Sequence, residues 1–399
     1  MPKISQKGKT MPASPIRKLV PFSDAAKERG VHVYHLNIGQ PDIETPPLAM
    51  AAVRDFSDKV IKYSHSAGNL SYRKRLCQYY HEIGIEVTPD DIIVTQGASE
   101  ALLFVFETIM DPDDEVIIPE PFYANYNGFA QTAGVKVKPI FSSIENGFAL
   151  PPIADFEKVI TPHTKAIMIC NPNNPTGYLY SKEELEVLKQ LALKYDLYLI
   201  ADEVYREFCY DGSKHTSLMH LSGIENNVIM IDSASKRYSA CGIRVGRLVT
   251  KNKEVITTAM KFAQARLSPP SLGQVAAEAV LDTPKSYFGE VVDEYQGRRD
   301  TVVEGLKQIE GAYCPVPKGA FYIVAHLPID NSETFCKWML TDFSYEGKTV
   351  MMAPACGFYS TPNLGTQEVR ISYCLCKEDL KDAMRVLKEA LKVYPGRKI

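Results

Sequence analysis

The sequence predicts an α/β fold built around a mostly parallel sheet. From about residue 90, short apolar runs alternate with longer helical patterns, which is the order that a parallel sheet covered by helices requires. Several of the runs are apolar throughout, as expected of strands that are buried on both faces. Ser181 and Glu184 form a capping-box pattern, so a helix is predicted to start directly after the loop NPNNPTG.

Seven short runs predict the strands of this sheet. In chain order they are DIIVTQG, EVIIPE, VKVKPI, TKAIMIC, LYLIADEV, NVIMIDSAS and GRLVT. Two helical patterns, SEALLFVFETIM and SKEELEVLKQLALKYD, lie between them. Ligands of open α/β sheets bind at the carboxyl ends of the strands, so the polar loops that follow these runs are the candidate site.

After residue 250 the pattern changes and predicts a smaller α+β domain. The long helical pattern SYFGEVVDEYQGRRDTVVEGLKQIE precedes the short strands GAFYIVAHL, TVMMAPA and EVRISYCL, and the amphipathic helix KEDLKDAMRVLKEALKV follows them. We therefore predict a large domain of residues 41–290 and a small domain of residues 291–399. Residues 1–40 are predicted to pack on the small domain or on a partner subunit.

Composition excludes several classes of function. The chain has 399 residues, a formal net charge of −3 and no basic or acidic block, so neither nucleic acid nor an anionic membrane is expected as a partner. No apolar run approaches the roughly 20 residues of a membrane span, and no apolar run follows the N-terminal lysines as in a signal peptide. The nine cysteines are scattered without the spacing of a metal site, which predicts reduced thiols in the cytoplasm.

Common nucleotide and hydrolase motifs are absent from the sequence. It contains no G-x-x-x-x-G-K-[ST], G-x-G-x-x-G, G-x-S-x-G or H-E-x-x-H pattern. Five separated pieces stand out instead: TQGASEAL, NPNNPTG, ADEVY, SASKRYSACGIRVG and EVRISY. Taken singly, Lys236 reads as a surface lysine, Asp202 as a solvated loop carboxylate and Arg370 as an exposed charge at a strand end. Only the combination points to a shared site.

These pieces, in this order, resemble the class I and II aminotransferases of pyridoxal-phosphate fold type I, the aspartate aminotransferase superfamily. The resemblance extends from LNIGQPD (Leu36–Asp42) to EVRISY (Glu368–Tyr373). It implies that the seven-stranded sheet of the large domain lies between helices and that pyridoxal 5′-phosphate is the cofactor. The implied activity is transfer of an amino group from an L-amino acid to a 2-oxo acid.

The resemblance also assigns the groups around the cofactor ring. Lys236 matches the lysine that is joined to the cofactor's aldehyde and then moves a proton as general acid and base. Asp202 matches the carboxylate that pairs with the ring nitrogen. Tyr205 and Asn174 match the hydrogen-bond donors to the ring's 3′ oxygen, and Tyr123 matches the aromatic side chain that stacks on the ring, with a core tyrosine as the alternative.

The cofactor's phosphate is a dianion and needs several donors when it is buried. Arg244 offers a two-pronged guanidinium, and the start of a helix offers backbone amides and the positive end of its dipole. The implied phosphate ligands are Ser233, Ser235, Arg244 and the backbone of Gly97, Ala98 and Ser99. Tyr63 matches a tyrosine that reaches the phosphate of the neighbouring subunit, which implies a homodimer with shared sites.

Arg370, Gly39 and Asn174 match the contacts to the substrate's α-carboxylate. The resemblance further implies that the Glu120-Pro121 and Asn174-Pro175 peptide bonds are cis. The choice of substrate is less determined, because Ala263 stands where one aspartate-specific subgroup has an arginine for the side-chain carboxylate. Candidates for that role elsewhere in the chain are Ser14, Arg17 and Arg266.

Aspartate is the favoured donor and 2-oxoglutarate the favoured acceptor. Within the same fold, the alternatives are aromatic or kynurenine, alanine and methionine aminotransferases and a β-elimination lyase. A cofactor-sensing regulator of the same fold would carry a DNA-binding segment in front. Residues 1–35 are too short and not basic enough for that segment.

Overall fold

The computed structural model describes residues 2–398. Its helices are α1 (Gln6–Thr10), α2 (Val20–Glu28), α3 (Pro47–Arg54), α4 (Leu70–Glu82), α5 (Gly97–Ile109), α6 (Asn125–Ala133), α7 (Ile153–Val159), α8 (Lys182–Tyr195), α9 (Ala234–Arg237), α10 (Lys253–Arg266), α11 (Ser271–Ala279), α12 (Lys285–Lys307), α13 (Ser332–Thr341) and α14 (Lys377–Val393). Its strands are β1 (His32–His35), β2 (Ile92–Thr95), β3 (Glu115–Glu120), β4 (Lys136–Phe141), β5 (Thr164–Cys170), β6 (Tyr198–Asp202), β7 (Val228–Ser233), β8 (Gly246–Val249), β9 (Tyr322–His326), β10 (Lys348–Met351), β11 (Ala353–Pro354) and β12 (Glu368–Ser372).

The large sheet has the predicted seven strands, in the order β2-β8-β7-β6-β5-β3-β4. Every pair from β7 to β4 is parallel, and β8 runs antiparallel to both of its neighbours. All residues of β7 and β8 are buried, and β5 and β6 each have only one residue that is not. The prediction of a mostly parallel α/β sheet is therefore confirmed, because the continuous apolar runs lie between two helical layers.

Helix α8 starts where the capping box predicted. Ser181 Oγ accepts from the Glu184 amide, and the Glu184 carboxylate accepts from the Ser181 amide. The two hydrogen bonds satisfy amides that a helix start otherwise leaves free. They fix the exit of the loop NPNNPTG on the carboxyl side of β5.

The C-terminal part of the chain forms an antiparallel sheet in the order β11-β12-β9. The run TVMMAPA, predicted as one strand, is two strands with different partners. Strand β10 pairs in parallel with β1, whereas β11 pairs with β12. The division at residue 290 falls inside the continuous helix α12, so the domain boundaries stay a prediction.

The fold brings several strand and helix ends to one place. Strands β6 and β7 end at Asp202 and Ser233, two residues before the ends of the runs that predicted them, and α5 begins at Gly97, where the sequence placed a helix start. Strand β12 carries Arg370. Within residues 2–398, no helix is both long and apolar enough to cross a membrane.

Candidate active site

A cavity of about 920 Å³ lies at the carboxyl ends of β6 and β7. Its wall combines the start of α5, the loop before α6, strand β12 and the segment between α1 and α2. The structure brings twelve of the predicted site residues together on this wall: Gly39, Ala98, Ser99, Tyr123, Asn174, Asp202, Tyr205, Ser233, Ser235, Lys236, Arg244 and Arg370.

Lys236 lies on α9, a helix of one turn directly after β7. Its Nζ donates to the Gly39 carbonyl at 2.8 Å and lies 3.7 Å from the Cys241 thiol. Neither partner is a carboxylate. The amine is thus held at the cavity by one backbone oxygen and a weak sulfur contact, which an incoming group can replace.

Asp202 ends β6 with only 5% of its surface exposed. The Tyr126 hydroxyl donates to Oδ2 at 2.7 Å, and the Val204 amide donates to Oδ1 at 3.3 Å. Burial raises the pKa of Asp202 to about 6, while these two hydrogen bonds act in the opposite direction. The sequence did not predict the role of Tyr126, which lies in the first turn of α6, three residues after the predicted site residue Tyr123.

Arg370 is 1% exposed and has no carboxylate partner among the described residues. Its Nη1 donates to Asn174 Oδ1 at 3.3 Å, its Nη2 donates to the Asn37 carbonyl, and its Nε has no partner. The guanidinium lies 4.6 Å from the centre of the Tyr322 ring, and burial lowers its pKa. A buried cation with an unused donor is costly unless an anion binds it.

Two tyrosines and an asparagine form a second polar group on the wall. The Tyr205 and Tyr322 hydroxyls lie 3.0 Å apart, and Asn174 Nδ2 donates to the Tyr205 hydroxyl at 3.5 Å. Burial raises the pKa of the Tyr205 hydroxyl well above its ordinary value, so at neutral pH it carries its proton and can donate. No sequence signal marked Tyr322, which comes from β9.

The loops that carry these groups contain cis peptide bonds. The Glu120-Pro121 and Asn174-Pro175 bonds are cis, which confirms the sequence prediction, and Asn171-Pro172, which was not predicted, is cis as well. The first precedes Tyr123, and the other two belong to the loop of Asn174.

Arg244 and the start of α5 adjoin each other at one end of the cavity. Arg244 has a left-handed backbone with φ 55°, and its Nη1 donates to the Cys241 carbonyl at 3.0 Å. Gly97 has φ 72°, and a Cβ there would lie 2.3 Å from Arg244 Nη2. The position therefore requires glycine. Ser233 Oγ donates to the Val245 carbonyl at 3.0 Å and lies 2.8 Å from Ser235 Oγ.

Other sequence candidates lie away from the cavity. Tyr63 is 79% exposed, and its predicted contact is to another subunit. Arg266 donates to the carbonyls of Ser66 and Val94 and does not line this wall. Ala263 is fully buried. Of the substrate candidates, Ser14 and Arg17 do line the cavity.

The charge of the wall is strongly one-sided. Among the described residues that line the cavity, Arg17, Lys236, Arg244 and Arg370 are cationic, and only Asp202 is anionic. Such a cavity attracts ligands that carry several negative charges.

Comparison with known proteins identifies the family. The family model for aminotransferase class I and II matches residues 31–387. The aspartate aminotransferase of Bacillus subtilis (strain 168) is 32% identical over 373 residues, which cover 91% of this chain and 92% of that protein. The aspartate/prephenate aminotransferase of Thermus thermophilus is 31% identical over 364 residues, 90% of this chain and 91% of that protein.

The solved structures agree with the sequence relatives. An alanine aminotransferase from Pyrococcus furiosus superposes with a TM-score of 0.90 at 31% identity, over 98% of this chain and 100% of that chain. The match covers both the seven-stranded sheet and the C-terminal part of the fold. The chain therefore belongs to the class I and II aminotransferases, enzymes that use pyridoxal phosphate to move an amino group between an amino acid and a 2-oxo acid.

Proposed function

We propose that the amino donor is a dicarboxylic amino acid, with aspartate favoured, and that the acceptor is a 2-oxo acid such as 2-oxoglutarate. The observation that carries this proposal is the surplus of cations on the cavity wall. Arg244 accounts for a phosphate and Arg370 for an α-carboxylate, which leaves Arg17 for a further carboxylate. The names of the Bacillus and Thermus relatives, both aspartate aminotransferases, support the same donor.

The donor set of the cavity fits pyridoxal phosphate. Arg244, Ser233, Ser235 and the amides at the start of α5 would hold the phosphate, where the bare Gly97 leaves room for the guanidinium. Asp202 would bind the protonated ring nitrogen, and Tyr205 with Asn174 would donate to the ring oxygen. The ring of Tyr123, which stands at 89° to Tyr126, would cover one face. When bound, this cofactor supplies an aldehyde that takes up the amino group and a ring that accepts electron density.

Lys236 is the group that would hold and move the proton. Its Nζ reaches the cavity beside the Gly39 carbonyl, and a free amine in that place can take a proton from one carbon of the reacting system and return it to another. Asp202 stays mostly ionised at neutral pH, since its pKa is about 6, and can keep the ring nitrogen protonated throughout.

The two carboxylates of the donor would bind at different arginines. Arg370 presents an Nε without a partner and the fork geometry that suits an α-carboxylate. Arg17 comes from a separate part of the wall, the segment between α1 and α2, and has no hydrogen-bond partner for its guanidinium among the described residues. Its charge reaches Tyr123, where it opposes the rise in pKa caused by burial.

A second candidate donor is an aromatic amino acid or the amino acid that corresponds to prephenate, which is itself a 2-oxo acid. The cavity wall also contains Ile16, Leu102 and Phe129, which favour an apolar side chain. The Thermus relative is named for both aspartate and prephenate. A donor that carries a carboxylate on a cyclic side chain would use Arg17 and the apolar residues together.

We propose in addition that the active form is a homodimer in a reducing cytoplasm. Tyr63, Val60 and Ile61 are each at least 60% exposed on one loop, which supports a subunit contact there. All nine cysteines are free thiols, which supports a reducing compartment. Sedimentation of the holoenzyme at graded concentrations tests the dimer, and a monomer that is fully active would contradict the role of Tyr63.

The donor proposal is tested by half-reactions with single amino acids. The holoenzyme is mixed with aspartate, glutamate, alanine, methionine, kynurenine, phenylalanine and cysteine, and the change in cofactor absorbance is followed. We expect aspartate to react with the highest kcat/KM. Release of pyruvate from cysteine would instead favour a lyase.

Arg17→Met tests the carboxylate contact, with Lys18→Met as its control. Lys18 is the next residue in the chain, but its amine pairs with Glu333 and does not line the cavity. We expect Arg17→Met to lower kcat/KM for aspartate by about 10- to 100-fold and to change that for alanine by less than about threefold. An equal loss for both donors would exclude Arg17 as the side-chain contact.

A further inference from the structure

A cluster of buried charges lies next to the cavity and takes no part in its wall. We call it the ion cluster, and its members are Glu203, Arg206, Glu207, Asp232, Arg237 and Arg247. Three carboxyl groups face three guanidiniums. None of the six residues lines the cavity, and the chemistry proposed above uses none of them.

Asp232 is the centre of the ion cluster. Both of its oxygens accept from Arg237 Nη2 at 3.0 Å, and Oδ2 also accepts from Arg247 Nη2 and from the Tyr80 hydroxyl at 2.9 Å. Arg247 stands opposite Asp232 in the antiparallel pairing of β7 and β8. The nearby guanidiniums hold the pKa of Asp232 far below its usual range.

Members of the ion cluster adjoin cavity residues in the chain. Asp232 and Ser233 are successive residues of β7 and point to opposite faces of the sheet, so one lies in the cavity and the other beneath it. The segment after β6 and the turn of α9 also divide neighbouring side chains between the cavity and the ion cluster. The adjoining pairs, with the cavity residue first, are Asp202 and Glu203, Tyr205 and Arg206, Ser233 and Asp232, and Lys236 and Arg237. Each of these cavity residues is therefore anchored through its backbone by an ion pair of its neighbour.

The anchor matters most at α9, which has only four residues. A single helical turn does not hold its shape in water, because nucleation is unfavourable. Arg237 fixes this turn through a side chain that is fully buried. Its Nε donates to Glu207 at 3.0 Å, its Nη2 bonds Asp232, and its guanidinium lies 4.5 Å from the centre of the Tyr79 ring.

Glu207 joins two parts of the site. It lies two residues after Tyr205, accepts from Arg237 Nε and also accepts from the Tyr79 hydroxyl. The bond between Glu207 and Arg237 thus connects the turn that carries Lys236 to the segment that carries Asp202 and Tyr205. Within the described residues, the Lys236 amine bonds only the Gly39 carbonyl and the Cys241 thiol. No other hydrogen bond of this side chain to residues 2–398 sets its direction.

We propose that Glu207 and Arg237 are positioning residues that set the direction of Lys236 towards the cofactor. The proposal rests on the proposed role of Lys236 as the residue that carries the cofactor and moves the proton. A misplacement on the order of 1 Å in a reacting group can cost up to about 100-fold in rate. Loosening the turn should therefore slow the chemical step and leave donor binding unchanged.

The test variant is Glu207→Gln, and the matched control is Asp211→Asn. Glu207 is 26% exposed and pairs with Arg237, which is fully buried, whereas Asp211 is 34% exposed and pairs with Arg299, which is 3% exposed. Both variants remove one charge from a partly exposed carboxylate that faces a buried arginine. Both should therefore lose similar stability in urea denaturation, but Asp211 has no connection to α9.

We expect Glu207→Gln to lower kcat by about 10-fold with KM for the donor changed by less than about twofold. The rate at which cofactor-free protein recombines covalently with pyridoxal phosphate should fall by a similar factor. The visible circular dichroism of the bound cofactor should also change. Asp211→Asn should keep wild-type values in all three measurements. Arg237→Lys, which keeps the charge but loses the fork, should act in the same direction as Glu207→Gln.

Equal results for Glu207→Gln and Asp211→Asn in all three measurements would overturn the proposal. Borohydride reduction followed by peptide mapping separates this failure from a failure of the proposed function. If Lys236 carries the reduced cofactor in both variants and their kinetics match, only the positioning role is wrong. If another lysine is labelled in the wild-type protein, the assignment of Lys236 itself is wrong.

Discussion

The cavity and the ion cluster contain the same kinds of charged residues, but they differ in how the charges are balanced. In the ion cluster, Arg237 and Arg247 each bond a carboxylate inside the chain. In the cavity, Arg370 bonds only oxygens of Asn174 and Asn37. Buried charges are tolerated when they are paired and costly when they are not. The unpaired set is therefore the one that awaits ligands, and the paired set is the one that holds the structure.

The contrast extends to the two buried aspartates at the ends of neighbouring strands. The guanidiniums around Asp232 lower its pKa, whereas burial raises the pKa of Asp202 to about 6. Both carboxylates accept a tyrosine hydroxyl, from Tyr80 and Tyr126 respectively. The difference is the cation, which the chain supplies to Asp232 and which a ligand would supply to Asp202.

The largest expected effect belongs to the cavity. Lys236→Ala should lower the transamination rate by about 10³-fold or more, because both the covalent attachment and the proton transfer are lost. The cofactor should remain bound without a covalent bond, as measured by absorbance after gel filtration. Lys253→Ala, at a largely exposed lysine, is the control. Unchanged turnover in Lys236→Ala would overturn the assignment of the active site.

The next effect belongs to the ion cluster and concerns stability. Asp232→Ala should lower the free energy of unfolding by about 3–5 kcal/mol, since it leaves the buried Arg247 guanidinium without a carboxylate and leaves Arg237 with Glu207 alone. Glu304→Ala removes an exposed carboxylate that pairs only with the exposed Lys307 among the described residues, and it should cost less than about 1 kcal/mol. Urea denaturation of the cofactor-free proteins measures both values. Equal losses would mean that the ion cluster contributes no more than a surface pair.

Arg370→Met should lower activity and leave stability unchanged, whereas Asp232→Ala should lower stability. The kcat/KM for the donor should fall by at least about 30-fold, which corresponds to about 2 kcal/mol, because the α-carboxylate loses its buried partner. The cofactor-free protein should lose no stability, since the change removes a buried charge that has no carboxylate partner. Activity assays of the preparation measure the loss of kcat/KM, and urea denaturation of the same preparation measures the stability. A stability loss as large as that of Asp232→Ala would remove the distinction between the two regions.

The last expected effect is a change in how the free energy of unfolding depends on pH. The pKa of Asp202 is raised on folding, so its contribution favours the folded state in acid and is lost as the pH rises from about 4 to about 6. In cofactor-free protein, Asp202→Asn should remove a decline of at most about 3 kcal/mol across that interval. Glu203, whose pKa burial raises to about 7, should still give a decline up to neutral pH. Urea denaturation at several pH values measures the slopes, and identical slopes would contradict the raised pKa.

The sheet was predictable because its signal is local. Strands β5 to β7 are continuous apolar runs, and Ser181 with Glu184 marks a helix start without reference to the rest of the chain. Strand β1 was not predicted, because HVYH is a short run that becomes a strand only by pairing with β10. The break between β10 and β11 has the same origin, since the two halves of TVMMAPA meet different partners.

The candidate site was predictable to the extent that its residues lie in recognisable motifs. Tyr322 was missed because its neighbours in the sequence carry no signal, and it reaches the cavity only because β9 pairs with β12 beside Arg370. Arg17 was one of three weak candidates until the structure placed it on the wall and Arg266 against the carbonyls of Ser66 and Val94. Glu203 and Arg237 of the ion cluster lie inside the pieces ADEVY and SASKRYSACGIRVG, but no sequence pattern indicated that they are paired with charges elsewhere in the chain.

The segment Ser233–Arg247 shows what could be predicted from the sequence and what depended on the tertiary structure. The sequence alone determined that a lysine and three arginines follow a buried strand, and the surrounding motifs indicated an aldehyde cofactor with a phosphate. The family resemblance already assigned Arg244 to the phosphate, but no sequence pattern indicated what Arg237 and Arg247 bind. Strand register places Arg247 opposite Asp232, and the turn of α9 places Arg237 beside it. The left-handed backbone of Arg244 turns its side chain towards the start of α5. The tertiary structure thus decided that Arg237 and Arg247 are paired inside the chain, because their partners lie 5 to 30 residues away in the sequence.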